Sequence, residues 1–341
     1  MQKIAVIGAG MMGSTHLNCY RSITDLPISA KYVCDKIESK AQKAANLYDV
    51  KLSSLDEILN DPEISIVDIC TPTFSHKDIV VQTAKHGKNV FCEKPIALSV
   101  KDAYEMVNTC ETHKVKFMVG HVVRFFPEYL KIKEIVLRED ISNPVMARFY
   151  RGGSFPAYGE DDWFDDLSKS GGVFVDLSIH DFDFARLIFG EVESVRAKSV
   201  KLSMDCKKND FDHGMAILKF KNGSIVHVEG NWAEPEGSPL GFNTSYEIVG
   251  TDGMITNTSI DSATLRVQKS DGKRLLSYSN YNPTFINPYT QELRSFILSV
   301  EKDKPVAVNG YEAIKALEIA LAANLSAKEN RSVKLSEVGS W

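Results

Sequence analysis

The sequence predicts an α/β protein: an N-terminal Rossmann dinucleotide-binding domain over residues 1–121, then an α+β domain over 122–341 with a large, mostly antiparallel open sheet. Three observations predict it. Short, mostly apolar runs alternate with helical patterns in the first part of the chain, and a glycine-rich turn closes the first of these runs. Beyond about residue 122 the pattern changes to strands joined by hairpin turns. A chain of 341 residues is also longer than one hydrophobic core usually serves.

In the first domain the apolar runs are 4–7, 31–34, 66–70, 89–92 and 116–119. Each is mostly apolar, as parallel strands covered on both faces are. Segments such as 77–86 and 101–113 lie between them and carry apolar residues at helical spacing, so the repeating β-α pattern implies a doubly wound sheet. In the second domain Asn222-Gly223 separates 216–220 from 225–228, and Asp252-Gly253 separates 246–249 from 254–255, both two-residue hairpin signals. Further strands are expected at 145–150, 192–200 and 264–268. Helices at 176–189, 289–302 and 311–330 are expected to cover one face of this sheet. The other face then needs a cover, and a second subunit would supply it in a homodimer or homotetramer.

Composition narrows the function. A net charge of -5, with the lysines scattered, offers no footprint for nucleic acid. The opening apolar run breaks at Gly8, unlike the core of a signal peptide, and no apolar stretch approaches the roughly 20 residues of a membrane span, so a cytoplasmic protein is expected. The six cysteines, Cys19, Cys34, Cys70, Cys92, Cys110 and Cys206, form no C-x-x-C pair and read as buried thiols; no metal is expected.

Gly8-Ala9-Gly10-Met11-Met12-Gly13 matches G-x-G-x-x-G between the first strand and a helix. Gly8 permits the tight turn, Gly10 lets the backbone approach a pyrophosphate, and Gly13 lets helix and strand pack closely. The pyrophosphate would lie at the helix N-terminus, where Met11 and Met12 begin the first turn. Such glycines alone fit an ordinary tight turn. Asp35, after the second strand, supplies the acid expected to bind the adenine ribose hydroxyls. Its carboxylate would repel a ribose phosphate, which favours NAD; Lys36 beside it keeps NADP open.

Glu93-Lys94-Pro95 ends the strand 89–92, at the carboxyl edge where ligands of this fold bind. Alone, Lys94 would read as a surface lysine paired with Glu93. A second element changes the balance: the run Gly171-Gly172-Val173-Phe174-Val175-Asp176-Leu177-Ser178-Ile179-His180. If 176–186 is helical, Asp176 and His180 lie one turn apart on one face. A histidine can take the proton of a hydroxyl, and a carboxylate can orient the ring or hold the substrate. The plain alternative is a capping Asp and a structural His, with Asp181 and Asp183 exposed or paired with Arg186.

Together these elements resemble the glucose-fructose oxidoreductase, inositol dehydrogenase and rhizopine-catabolism family, Gfo/Idh/MocA, over essentially the whole chain. The resemblance rests on Gly8 to Gly13, on Thr71-Pro72-Thr73 with His76, on Glu93-Lys94-Pro95, on Gly120-His121 leading to Arg124-Phe125, and on the run ending at His180. It implies a Rossmann domain and a C-terminal domain whose open sheet often mediates dimers or tetramers. It also implies that Lys94, Asp176 and His180 face the substrate, that Thr71, Pro72, Glu93 and Lys94 border the nicotinamide, and that His76 shapes that pocket. The expected activity is NAD(P)-dependent oxidation of a secondary hydroxyl on a sugar, inositol or related polyol. His180 would act as base and Lys94 as partner of the developing alkoxide, with Arg124, Tyr158, Trp163 and Asp162 as candidates for holding the substrate. Three rivals stay open: a redox-neutral glycosidase that uses NAD transiently, a non-catalytic dinucleotide-binding sensor, and a reductase of carbonyl substrates such as imines or ketones.

Overall fold

A computed structural model describes residues 1–156, 160–203, 211–235, 238, 241–258, 263–269, 274–279 and 287–338. It divides into two compact units, Met1–Phe125 with Ile286–Ile314, and Phe126–Phe285 with Lys315–Trp341.

The first unit contains β1 (Gln2–Ile7), α1 (Met11–Ser22), β2 (Ile28–Cys34), α2 (Glu38–Tyr48), β3 (Lys51–Leu52), α3 (Leu55–Asn60), β4 (Ile64–Ile69), α4 (His76–Lys85), β5 (Asn89–Glu93), α5 (Val100–Thr112) and β6 (Phe117–Gly120). The strands form one sheet in the order β3-β2-β1-β4-β5-β6, with every pair parallel. Ile4, Ala5, Val6 and Ile7 are all buried, as a strand covered on both faces must be. The strand order reverses between β1 and β4, and the carboxyl ends on either side of that switch are where this architecture places ligands.

The second unit begins with α6 (Pro127–Leu137) and β7 (Pro144–Gly152), continues through α7 (Leu167–Ser170), α8 (Gly172–Asp176) and α9 (Ile179–Phe189), and then runs as strands: β8 (Val192–Val200), β9 (His213–Phe220), β10 (Ile225–Asn231), β11 (Asn243–Gly250), β12 (Gly253–Thr258), β13 (Ala263–Lys269) and β14 (Arg274–Ser279). After α10 (Pro288–Glu301) and α11 (Gly310–Glu329), β15 (Val333–Lys334) completes a nine-stranded sheet of order β14-β13-β12-β11-β7-β10-β9-β8-β15. Among the described pairings only β7 with β10 is parallel. A hairpin joins β9 to β10 as expected, but its loop is the three residues Lys221-Asn222-Gly223 rather than two, with Gly223 at φ 90°.

Two expectations need correction. The helix expected at 289–302 does not cover the second sheet: α10 belongs to the first unit, where Leu293, Phe296 and Ile297 share a core with Ile4, Val6, Leu17 and Phe91. The Phe296 ring lies 5.7 Å from that of Phe91. The first unit is therefore discontinuous in sequence, and the division falls at Phe125/Phe126 rather than at 121/122. An amphipathic stripe says that a helix buries one face, not which core receives it. The second correction is that 176–189 is not one helix. α8 ends at Asp176 and α9 starts at Ile179, because Ser178 N–H donates to Val173 O, one residue beyond the regular α-helical step.

Candidate active site

The glycine turn is built as its sequence requires. Gly8, at φ 100°, follows β1, and a side chain there would meet Cys70 O at 2.6 Å. A Cβ on Gly13 would run into the Gly8 carbonyl oxygen, so only glycine lets α1 approach the turn this closely. Gly10 caps α1 with no side-chain hydrogen bond, and a Cβ placed on it meets nothing within 4 Å. The first-turn N–H groups, with Met11 exposed, are thus left for an anion. Asp35 Oδ2 accepts from Ala9 N–H at 2.7 Å and Oδ1 from Ile37 N–H at 2.8 Å, which ties the acid to the glycine turn.

After β4 come Thr71 and Pro72, both half-buried, with Ser75 Oγ donating to Pro72 O at 2.7 Å and to Thr71 Oγ1 at 2.8 Å. His76 is buried at the start of α4, and its two ring nitrogens face Pro95 O at 2.9 Å and Thr71 O at 2.8 Å. It clamps the turn after β4 to the turn after β5. Burial lowers its proton affinity, although both carbonyls pull the other way. A neutral ring donates to one of them at a time. The Lys94–Pro95 peptide is cis and Lys94 is half-buried.

The Glu93 side chain is buried and turns its carboxylate inward. Its Oε1 stands 3.2 Å from His16 Nε2, and Oε2 accepts from Lys94 N–H at 3.2 Å. The other ring nitrogen of His16, Nδ1, lies 2.9 Å from Asp68 Oδ2, which also accepts from the Tyr20 hydroxyl at 2.9 Å. His16 and Asp68 are completely buried. Burial opposes a charge on the imidazole, but Asp68 outweighs it and holds the His16 pKa well above the usual histidine range. Cys70 Sγ, 3.2 Å from Nδ1, adds attraction only as a thiolate, and burial pushes that thiol far above its ordinary range. Asp68 is therefore the partner that counts. Sequence reading missed this group, although one signal was present: Gly13, His16, Leu17 and Tyr20 make up the buried stripe of α1, and a histidine there needs partners.

In the second unit α8 and α9 lie against β9 and β10. Gly214 and Gly230 are cross-strand partners, and a Cβ on Gly214 would strike the Phe174 ring while one on Gly230 would strike Ser178 Oγ. This pair of seats fixes the break between the two helices. Over 171–185 every residue is buried except Asp176 and His180. Asp181, expected exposed or paired with Arg186, is instead buried and bound twice by Arg151 of β7: Nε to Oδ2 and Nη2 to Oδ1, both at 2.9 Å. Arg151 Nη2 also donates to the Tyr129 hydroxyl at 3.2 Å. Arg186 pairs with Glu191 at 2.7 Å, and Asp183 is buried. Among the substrate candidates, Trp163 is half-buried and stacks on Phe164 at 3.9 Å. Arg124, in the first unit, pairs with Glu312 at 3.1 Å. Tyr158 lies outside the described residues.

Comparison with known proteins settles what this framework is. Residues 2–121 match the model of an oxidoreductase family with an NAD-binding Rossmann fold, and 129–256 match the GFO/IDH/MocA C-terminal domain. Myo-inositol 2-dehydrogenase of Thermotoga maritima is 31% identical over 98% of this chain and 99% of its own. The chain belongs to the Gfo/Idh/MocA oxidoreductase family. Another relative, scyllo-inositol 2-dehydrogenase (NAD(+)) of Bacillus subtilis, is 29% identical over 98% of this chain and 96% of its own. Among solved structures, a probable dehydrogenase from Thermotoga maritima superposes with a TM-score of 0.83 at 29% identity, covering 98% of this chain and 99% of that one.

Within this family the first unit is the NAD-binding domain, and its residues fit NAD. Gly10 leaves open space where a side chain would block a pyrophosphate, the start of α1 carries no side-chain cap, and Asp35 stands beside the glycine turn. No described helix is long and apolar enough to cross a membrane.

Proposed function

We propose that this oxidoreductase moves a hydride between a secondary hydroxyl carbon of an inositol, sugar or related polyol and NAD, with Lys94, Asp176 and His180 as its catalytic residues. The observation that carries the reading is the partial exposure of Asp176 and His180 in a stretch that is otherwise buried. A frame packed this tightly that leaves one acid and one imidazole half-buried suits a site better than a core. Relatives named as inositol 2-dehydrogenases, matched over nearly the whole chain, support the substrate class.

When bound, NAD supplies the hydride acceptor. The hydroxyl proton has to leave as the carbon loses its hydride; His180 accepts it, and Asp176 orients the ring or holds a neighbouring hydroxyl. The Lys94 ammonium stabilises the negative charge that develops on the oxygen. The α1 N-terminus at Gly10, Met11 and Met12 binds the pyrophosphate, and Asp35 binds the adenine ribose. Thr71, Pro72 and His76 shape the nicotinamide side. Arg124, Tyr158 and Trp163 contact the substrate.

We assign the outer face of the second sheet to another copy of the chain, as a homodimer or homotetramer. β7, β9 and β10 alternate buried with outward residues, and Met146, Met215, Ile217 and Ile225 are each 42–50% exposed on the outward side. The reading places the protein in the cytoplasm.

The test is NADH formation with NAD or NADP against a panel of inositols, aldoses, anhydrosugars and glycosides. A signal on a ring polyol or sugar supports the dehydrogenase. Silence across the panel with demonstrable NAD binding would favour the redox-neutral glycosidase or the sensor.

A further inference from the structure

We propose that His16 is a positioning residue for the Glu93-Lys94-Pro95 turn: its buried imidazole, set between Asp68 and Glu93, fixes the carboxylate that holds the Lys94 backbone. The consequence for turnover rests on the reading of Lys94 as catalytic; the geometry does not.

The group sits entirely within the first unit. His16 lies on α1, one turn beyond the glycine motif, Asp68 near the end of β4 and Glu93 at the end of β5. Both ring nitrogens face carboxylate oxygens, at 2.9 Å and 3.2 Å. In a neutral imidazole one nitrogen would turn its lone pair on a carboxylate oxygen. With both carboxylates ionised, the doubly protonated ring is the form that suits both neighbours, and it leaves two carboxylates sharing one buried cation. The surroundings allow little rearrangement. Phe91 packs edge-on against the ring at 5.6 Å, and Tyr289 of α10 lies at 6.3 Å. Behind Glu93, a Cβ on Gly120 would come within 3.0 Å of Oε1, so the carboxylate fills the space that glycine leaves. Its second oxygen accepts the Lys94 N–H at 3.2 Å. Among the described residues neither His16 Nε2 nor Glu93 Oε1 has a hydrogen-bond partner, and the two buried atoms face each other at 3.2 Å. Removing the ring leaves Glu93 without a cation and frees the carboxylate to rotate or take a proton, which releases the Lys94 backbone. One histidine thus ties the helix at the pyrophosphate to the residue before the catalytic lysine.

The experiment uses the full-length protein with NAD and compares His16→Gln, Glu93→Gln and, as a control, Tyr20→Phe, which removes a bond to Asp68 without touching Glu93. Acetic anhydride labelling read by peptide mass spectrometry gives the reactivity of Lys94 relative to the other lysines. The expected result is a changed Lys94 rate in the first two variants and an unchanged one in Tyr20→Phe. Calorimetric NAD affinity should stay within about twofold while kcat on whichever polyol gives NADH falls up to about 100-fold, as misplacement of a reacting group does. Unchanged Lys94 labelling in both folded variants would overturn the proposal. If the variants do not fold, ¹⁵N shifts of labelled His16 in the native protein decide: two protonated ring nitrogens at neutral pH are expected, and a neutral ring overturns it. Labelling that responds to His16 while Lys94→Ala retains turnover would sink the catalytic reading of Lys94 and leave the positioning intact.

Discussion

Two buried aspartates, one in each unit, are held in contrasting ways. Asp181 of the second unit is gripped by both arms of the Arg151 guanidinium, whereas Asp68 of the first unit is held by His16 and a tyrosine hydroxyl. A guanidinium keeps its charge at any pH a protein meets, and an imidazolium does not. The Asp181 pair is therefore a permanent fixture that seats α9 on β7 beside His180. The Asp68 pair is conditional, because its cation can leave as a proton, and it stands behind the Lys94 turn. The same amino acid, equally buried, is a fixed anchor in one unit and a titratable one in the other.

Three measurements sharpen or break this contrast. The largest effect is expected from Arg151→Met, which strands the Asp181 charge in a dry interior and should cost about 3–5 kcal/mol. Denaturant melts give the loss, and hydrogen exchange should place it in peptides of β7 and α9. Adding Asp181→Leu should recover most of it. Asp68→Asn should cost less, about 1–3 kcal/mol, because His16 can lose its proton and the asparagine still accepts from Tyr20. A loss as large as that of Arg151→Met would erase the distinction. The smallest effect is the pH dependence. The folded pKa of His16 lies above its unfolded value, so its contribution is complete below the unfolded pKa, near about 6.5, and is lost as pH rises through the folded one. The first unit should therefore lose exchange protection on the alkaline side, Asp68→Asn should abolish that loss, and peptides around Asp181 should show none. A first unit as flat with pH as the second would remove the imidazolium from this account.

Legibility in the sequence followed locality. Gly8 to Gly13 and Glu93-Lys94-Pro95 were readable because all their parts are contiguous, and the parallel strands because burial on both faces leaves mostly apolar runs. His16 and Asp68 lie 52 residues apart, and nothing in either neighbourhood names the other. The spacing of Asp176 and His180 suggested one helical turn, but the packing of Phe174 and Ser178 onto Gly214 and Gly230 broke the helix between them. Long-range packing overruled a local period there. α10 failed differently: its apolar face was evident, and the core that takes it was not. β15 is two residues long and pairs with β8 more than a hundred residues earlier, which leaves no periodic signal to find.

The central claim, hydride transfer from a polyol carbon to NAD, is tested most directly with isotope. The panel substrate that reacts is deuterated at its oxidised carbon and turned over once by the enzyme with NAD. Direct hydride transfer puts deuterium at C4 of the nicotinamide in released NADH, together with a ketone product, and this transfer is lost in Lys94→Ala while NAD remains bound. Deuterium retained in the product with no NADH released, or lost to water, would contradict it.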